Sequence, residues 1–153
     1  MTAFPIPASI DLAGAIIDYL SPLVGIVDTT VPNPRPSRFT VVSVSTMSRE
    51  DVVLDESLVT LECYGPSELA SSELGRIAQA AMLNWESNPG GGAVIYRVRM
   101  GGLRWLPDPD GDLPRHILTG NVWHRANLSL STSPDGAVAL PATTRADFTS
   151  YFE

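Results

Sequence analysis

Residues 58–85 join a strand pattern directly to a helix pattern, and this unit constrains the fold more than any other part of the sequence. Val59, Leu61 and Cys63 recur at every second position, which is the period of a strand with one buried face. After a glycine–proline turn the period becomes three to four, which predicts a helix over about residues 67–86 packed on the same core. The apolar side of that helix comprises Leu74, Ile77, Ala78, Ala81, Met82 and Trp85.

Composition favours a single domain whose surface meets partners. The 153-residue chain is long enough to bury a core without disulfides or metals. Charged residues make up only 18% of it, which is few for a fully solvated monomer. The net charge of -7 argues against a nonspecific DNA binder, which needs a concentrated basic surface. All ten basic residues are arginine. Codon bias in a GC-rich genome is one explanation, and selection for planar cations at protein interfaces is another.

The sequence also indicates in which cellular compartment we expect the protein. Cys63 is the single cysteine, so no intramolecular disulfide forms, and its apolar strand suits a small buried hydrophobe. No basic residue precedes Arg35, so the basic region of a signal peptide is missing. The apolar run at residues 12–27 contains Asp18 and Pro22 and is shorter than the ~20 residues that span a bilayer. We therefore expect a soluble protein with no membrane partner.

Other segments surround the central unit. A first helix is predicted over residues 11–20, ending at Ser21 and Pro22. Residues 48–57 carry several charges and are interpreted as a solvated hairpin connection. Gly120 is interpreted as a bulge or kink inside the last predicted strand. The predicted strands are residues 25–31, 39–47, 58–64, 93–100, 103–106 and 115–130.

Beyond residue 130 the composition shifts to Ser, Thr, Pro, Gly and Ala, which makes a poor independent folder. One domain is therefore assigned to residues 1–130 and an extended tail to residues 131–153. Two interpretations of the tail compete: a disordered end, and an arm that lies on a neighbouring subunit. The second is favoured because the tail carries an aromatic cluster of Phe148, Tyr151 and Phe152.

An aspartate loop resembles the opening of a calcium-binding loop. Asp108, Asp110 and Asp112 place oxygen ligands at alternate positions, which suits a hard cation. An EF-hand would need a glycine directly after Asp112 and a carboxylate seven places after it, where Leu113 and Thr119 stand. We therefore favour a solvated turn and expect no metal and no cofactor.

No pattern of catalytic residues is present in the sequence. His116 and His124 lie on one predicted strand at a separation of about 26 Å, too far apart to share a metal. No nucleophile elbow or other local signature selects a serine or Cys63 as a nucleophile. We therefore expect a protein that is not an enzyme.

Arginines and aromatic residues concentrate in the second half of the chain. Such a mixture fits a nucleic-acid surface and also a protein interface. The acidic total favours a protein interface, in which Glu68 and Glu73 of the predicted helix would supply a complementary face. The basic and aromatic candidates are Arg97, Arg99, Arg104, Trp105, Arg115 and Arg125, with Tyr96 and Trp123 beside them.

Three segments together resemble a known family. They are the N-terminal helix, the strand LVTLECYG leading into GPSELASSELGRIAQAAM, and the aspartate loop followed by PRHILTGNVWHRANLSL. The chain resembles the tail terminator proteins of long-tailed, siphovirus-type bacteriophages, particularly those of actinobacterial phages. The resemblance covers about residues 8–130 and rests on patterns, and the tail after Ser131 departs from it.

The resemblance implies an α/β (α+β) fold in which two main helices pack on one face of a mixed, mostly antiparallel sheet. It also implies a virion structural protein of the tail neck, assembled in the host cytoplasm as a homo-hexameric ring. That ring would cap the tail tube, stop its polymerisation and join the tail to the head. Its partners would be its own copies, the tube protein and the head-side connector or stopper protein. DNA would pass through the ring without sequence-specific recognition.

Two other classes of protein stay open. A different neck component, such as a head completion or stopper protein, would share this size and charge. A small non-enzymatic binding module is the third interpretation.

Overall fold

The computed structural model describes residues 6–49, 54–86, 93–111, 113–125, 128–132 and 138–139. Within these residues the chain forms two helices, α1 (Leu12–Val24) and α2 (Glu68–Asn84). The strands are β1 (Ile6–Ala8), β2 (Val27–Asp28), β3 (Phe39–Arg49), β4 (Leu54–Tyr64), β5 (Ile95–Met100), β6 (Arg104–Trp105), β7 (Arg115–Arg125), β8 (Leu128–Thr132) and β9 (Val138–Ala139).

A mixed, mostly antiparallel sheet forms the centre of the fold, as expected. Its strand order is β2-β3-β4-β7-β5, and β6 pairs with β7 beyond the end of β5. Only β2 and β3 run parallel in this sheet, and β4 and β7 pair over the whole length of both strands. A second, smaller sheet has the order β1-β8-β9 and is antiparallel.

Both helices pack on one face of the main sheet, which confirms the expected layer arrangement. The central strand β4 presents Val59, Leu61 and Cys63 to the helices, and all three side chains are fully buried. The predicted alternation of this strand is therefore confirmed. The remaining buried core residues include Leu12, Ala15, Ile16 and Leu20 of α1, Leu74, Ala78 and Met82 of α2, and Val42, Trp85, Leu118 and Val122.

Helix α2 begins where the sequence predicts. The Ser67 side chain accepts a hydrogen bond from the Ala70 backbone N–H at 3.1 Å, which satisfies one of the free amides of the first turn. The prediction that Ile77 is a core residue was wrong, because this side chain is 49% exposed. The buried arc of α2 is centred on Ala78 and Met82, and Ile77 lies at its flank beside α1.

Helix α1 continues one turn past its predicted end and includes Pro22. The Ser21 hydroxyl donates to the Ile17 carbonyl at 2.6 Å, and the Gly25 N–H bonds to the Ser21 carbonyl. These bonds close the last turn although proline lacks an N–H. No helix in the described part of the chain is long and apolar enough to cross a membrane.

Residues 48–49 and 54–57, which were predicted as parts of a solvated connection, lie in strands. Strand β3 extends to Arg49 and β4 begins at Leu54, with a register shift between Thr46 and Ser48. The side chain of Asp55 points to the helix-covered face and is fully buried. The prediction failed because strand alternation, and not polarity, decides which residues of β4 are buried.

Strands β5 and β7 differ from the simple patterns of the sequence. Tyr96 is exposed and Ile95 is buried, because a register irregularity between Ile95 and Arg97 inverts the alternation at the start of β5. Gly120 is not a bulge, since it pairs in register with Val59 and Met100. The predicted strand over residues 115–130 is divided between β7 of the main sheet and β8 of the smaller sheet.

Candidate assembly surfaces

The face of the main sheet opposite the helices carries half-buried side chains along its central strands. This open face is built from cross-strand rows, such as Glu56 beside Trp123 and Leu58 beside Asn121. Leu113 of the loop before β7 packs on one end of it, where Phe39 stacks on Tyr64 with ring centroids 4.4 Å apart. The rest of the open face comprises Ser43, Ser45, Glu56, Leu58, Thr60, Arg97, Arg99, Arg104, Thr119, Asn121 and Trp123.

Three of the predicted interface arginines lie together on this face. Arg97 and Arg99 are on β5 and Arg104 is on β6, and all three are exposed. The guanidinium carbon of Arg97 lies 5.5 Å from the ring centroid of Trp123, a cation–π distance that holds it against the sheet. The β5–β6 edge of the open face is therefore basic.

Arg115 takes a different role. Its Nη1 lies 3.2 Å from Oε1 of Glu62, and its Nε donates to the Leu106 carbonyl at 2.8 Å. The guanidinium also lies over the Tyr64 ring, and its side chain is only 12% exposed. Arg115 is therefore engaged inside the subunit, where it fixes the segment after β6 to the sheet.

Trp105 lies on the helix-facing side of β6, away from the three exposed arginines. The centroids of the Trp105 and His116 rings are 5.1 Å apart, and His116 Nδ1 lies 2.7 Å from the Ser71 hydroxyl of α2. Trp105 and its neighbour Leu106 are nevertheless 44% and 46% exposed. We call these two residues the apolar tip. Sequence reasoning did not select Leu106.

The helix layer carries the opposite charge. Glu68 and Glu73, which were predicted as interface candidates, are exposed on α2. Asp11 at the start of α1 and Asp18 within it add two exposed carboxylates, and Arg76 is an exposed cation of α2. The subunit thus presents an acidic helix layer and a basic β5–β6 edge.

Between the two helices lies an outward-facing groove of about 550 Å³, which we call the outer groove. A neighbouring hollow of about 350 Å³ shares Ile77 and Ala80 with it and includes Glu73 and Arg76. Sequence reasoning missed this feature because it placed Ile77 in the core. The outer groove is lined by Tyr19, Leu23, Ile77, Ala80, Ala81 and Asn84.

Asp108 makes polar contacts within the aspartate loop and with Arg35. Asp108 Oδ1 accepts from the Asp110 backbone N–H at 3.0 Å, and Asp108 Oδ2 lies 3.9 Å from Arg35 Nη2. Asp112 lies outside the described residues. Within the described part of the chain, no three side chains of the kinds that bind metals come together. The bond from the Asp110 N–H to the Asp108 carboxylate is typical of an aspartate that stabilises a turn.

A buried cluster of polar side chains lies on the helix-facing side of β4 and β7. Ser57 Oγ is 2.8 Å from His124 Nε2, and Asp55 accepts from Arg49 Nε at 2.9 Å and from Ser9 Oγ at 2.6 Å. Burial lowers the pKa of His124, and the Asp55 carboxylate opposes this effect. Because Ser57, Asp55 and His124 are fully buried, no substrate reaches them. The cluster is structural.

Phe148, Tyr151 and Phe152, the aromatic candidates of the tail, lie outside the described residues. The described part of the tail is the end of β8 and the short strand β9, which pair with each other. The chain matches no model of a known protein family and no curated protein.

Proposed function

We propose that this chain is a tail terminator of a long-tailed bacteriophage, a structural protein without enzymatic activity. Copies of the chain form a hexameric ring that caps the tail tube, stops its polymerisation and joins the tail to the head-side connector. The ring belongs to the neck of the virion. The fold supports the proposal, because a mixed, mostly antiparallel sheet with two helices on one face is what the resemblance implies.

The separation of charge on one subunit carries the proposal. A closed ring is built from a head-to-tail interface, which requires two different and complementary patches on each copy. The β5–β6 edge supplies Arg97, Arg99 and Arg104, and the helix layer supplies Glu68 and Glu73. Such complementarity sets the orientation and the rate of association, and it disfavours pairing of like faces.

Charge alone would give weak rings. Exposed ion pairs contribute about 0–1 kcal/mol each, and salt screens them. A stable interface therefore also needs buried apolar contacts, as in other oligomers.

Charge reversal on the basic edge tests the ring. Arg97→Glu or Arg99→Glu should weaken self-association at least about tenfold without unfolding the monomer, because each places a carboxylate against the acidic helix layer. Analytical ultracentrifugation and negative-stain images measure the ring population, and circular dichroism checks the fold. Arg38→Glu is the matched control, since Arg38 is exposed in the loop before β3. Normal rings from both variants would rule out this interface.

Tail length tests the function itself. Tails assembled without this protein should carry tubes longer than normal, seen by electron microscopy, because nothing stops tube polymerisation. Tubes of normal length that fail to join heads would instead indicate a head completion or stopper protein.

A further inference from the structure

The open face carries opposite charges on the two sides of β7. Glu56 of β4, Trp123 of β7 and Arg97 of β5 form one cross-strand row, so the carboxylate and the guanidinium flank the tryptophan. Glu62 of β4 and Arg104 of β6 flank β7 in the same way, since both pair with the same residue of that strand. Strand β4 is therefore the acidic side of this face, and β5 and β6 are its basic side.

These charges are available to a partner. Arg97 and Arg104 are exposed and Glu56 is half-buried, and none of the three makes an ion pair within the described residues. Glu62 is bound by Arg115 through its Oε1 atom at 3.2 Å. A carboxylate has two oxygens, so it can accept a second arginine.

The middle of the face suits an interface. Trp123 is half-buried on β7, and the guanidinium carbon of Arg97 lies 5.5 Å from its ring centroid. Leu58 of β4 is also half-buried, beside Asn121 of β7. Tryptophan and arginine are frequent anchors at the centre of protein interfaces. A partner that covered this face would bury these side chains, and the flanking charges would fix its register.

A second copy of the chain matches this arrangement. Neighbouring strands lie about 4.8 Å apart, so β4 on one side of β7 is as far from it as β5 and β6 on the other. A two-fold axis along β7 therefore places β4 of one copy over β5 and β6 of the other, row by row. Glu56 then faces Arg97 of the other copy, and Glu62 faces Arg104. Each contact occurs twice, because a two-fold interface is isologous.

Charge disfavours the other face-to-face arrangement. A two-fold axis across the strands would place each strand over its own copy. The arginines of β5 would then face the arginines of β5, and the carboxylates of β4 would face those of β4. Like charges placed opposite each other suppress such pairing. The axis along β7 is therefore the one that the sheet favours.

The segments outside the described ranges match the face less well than a second copy does. A matching segment would need two cations for the acidic side of the face and carboxylates for its basic side. Outside the described residues the chain has a single basic residue, Arg145. A second copy supplies both Arg97 and Arg104.

We propose that two free subunits pair through their open faces, with Trp123 beside the two-fold axis and Glu56 against Arg97 of the other copy. The contact joins three strands of each copy and no helix, so we expect a reversible pair and not a permanent dimer. It covers the arginines that the proposed ring needs, and a subunit must therefore leave the pair before it enters a ring. The pair itself does not depend on the ring, because it uses no residue of the helix layer.

Cross-linking through introduced cysteines tests the position of the axis. Thr119 lies on β7, and Ser43 lies in the same cross-strand row on β3. Thr119→Cys should give a covalent dimer with a short bismaleimide, because the two copies of this residue face each other across the axis. Ser43→Cys is the matched control, since in the pair it lies about 19 Å from its own copy. Cys63 is buried and should not react.

The yields decide between the arrangements. Thr119→Cys dimers at least about tenfold more abundant than Ser43→Cys dimers support the pair, and equal yields overturn it. Rings in negative stain without the Thr119→Cys cross-link overturn the pair and leave the ring intact, since a head-to-tail contact brings no residue against its own copy. Covalent dimers without rings, even when tube protein is added, support the pair and count against the ring. Monomers at every concentration overturn the pair.

An exchange of charges gives an independent measurement. Glu56→Arg should weaken pairing at least about tenfold, because it places two arginines against each other at both contacts. Arg97→Glu in the same chain should restore most of the lost affinity, since the facing charges are opposite again. Glu68→Arg on α2 is the control and should leave pairing unchanged. Sedimentation velocity measures the dissociation constant, and circular dichroism checks the fold. Failure of the second substitution to restore pairing would overturn the proposal.

Discussion

Ser57 Oγ and His124 Nε2 lie 2.8 Å apart on neighbouring strands of the main sheet, where neither side chain reaches solvent. Burial lowers the pKa of His124 from its usual 6.5, and the Asp55 carboxylate opposes this effect less strongly. At pH values between this lowered pKa and 6.5, His124 binds a proton more readily in the unfolded chain than in the folded one. The free energy of unfolding should therefore fall as the pH drops below about 6.5.

The measurement is urea denaturation at several pH values between 5 and 8. Each pKa unit by which His124 of the folded protein lies below 6.5 corresponds to about 1.4 kcal/mol of unfolding free energy. This amount is lost once the pH is low enough to protonate His124 fully. His124→Gln cannot bind the proton, so its stability should change less across this range. An identical pH dependence in His124→Gln and the unmodified protein would contradict the assignment.

Asp55→Ala should lower the free energy of unfolding by about 2–4 kcal/mol, because it leaves Ser9 and Arg49 without their shared acceptor. The Arg49 side chain is partly exposed, so water recovers some of its loss. Glu56→Ala is the control on the opposite face of β4, with an expected change of about 0.5 kcal/mol or less. Equal stability of the two variants, measured by chemical denaturation, would show that the buried carboxylate contributes nothing.

Gly120→Ala should destabilise the protein by about 1–3 kcal/mol. A Cβ at this position would collide with the Arg99 carbonyl and the Met100 sulfur on β5. Gly102→Ala is the control, since a Cβ there meets nothing within 4 Å. Thermal denaturation of the two variants measures the difference, and a neutral Gly120→Ala would mean that β5 adapts without cost.

Cys63 should resist thiol reagents in the folded protein. Its side chain is fully buried, and burial raises its pKa to about 12, so the reactive thiolate is scarce at pH 8. A chromogenic disulfide reagent should react stoichiometrically in guanidinium chloride and very slowly without it. Rapid reaction under native conditions would show that β4 opens locally.

Local periodicity was enough to predict the central unit of the fold. The alternation of Val59, Leu61 and Cys63 identified the buried face of β4, and the change of period after the glycine–proline turn marked the start of α2. The errors have tertiary causes. Ile77 fits the apolar period of α2 but lies beyond the arc that the sheet covers. Asp55 is charged but alternates into the covered face, where Arg49 and Ser9 satisfy it.

The candidate surfaces were predicted only as a set of residue types. The sequence offered Arg97, Arg99 and Arg104 as interface candidates on predicted strands, but only the pairing with β7 places them on one face. The same pairing puts Trp105 on the other face and engages Arg115 with Glu62. The outer groove has no local signature, because it exists only where two helices distant in sequence meet.

The edges of the main sheet are unequal. Strand β5 forms a six-residue edge, and Glu86 accepts from its Val98 N–H at 3.4 Å. The opposite edge is the two-residue β2, followed by prolines at positions 32, 34 and 36 that donate no backbone bonds. If the main sheet continued from one copy into the next through these edges, it would gain few backbone hydrogen bonds. Copies that met at these two edges would have to recognise each other through side chains, so partner choice could diverge between related chains while the backbone of the main sheet stays the same.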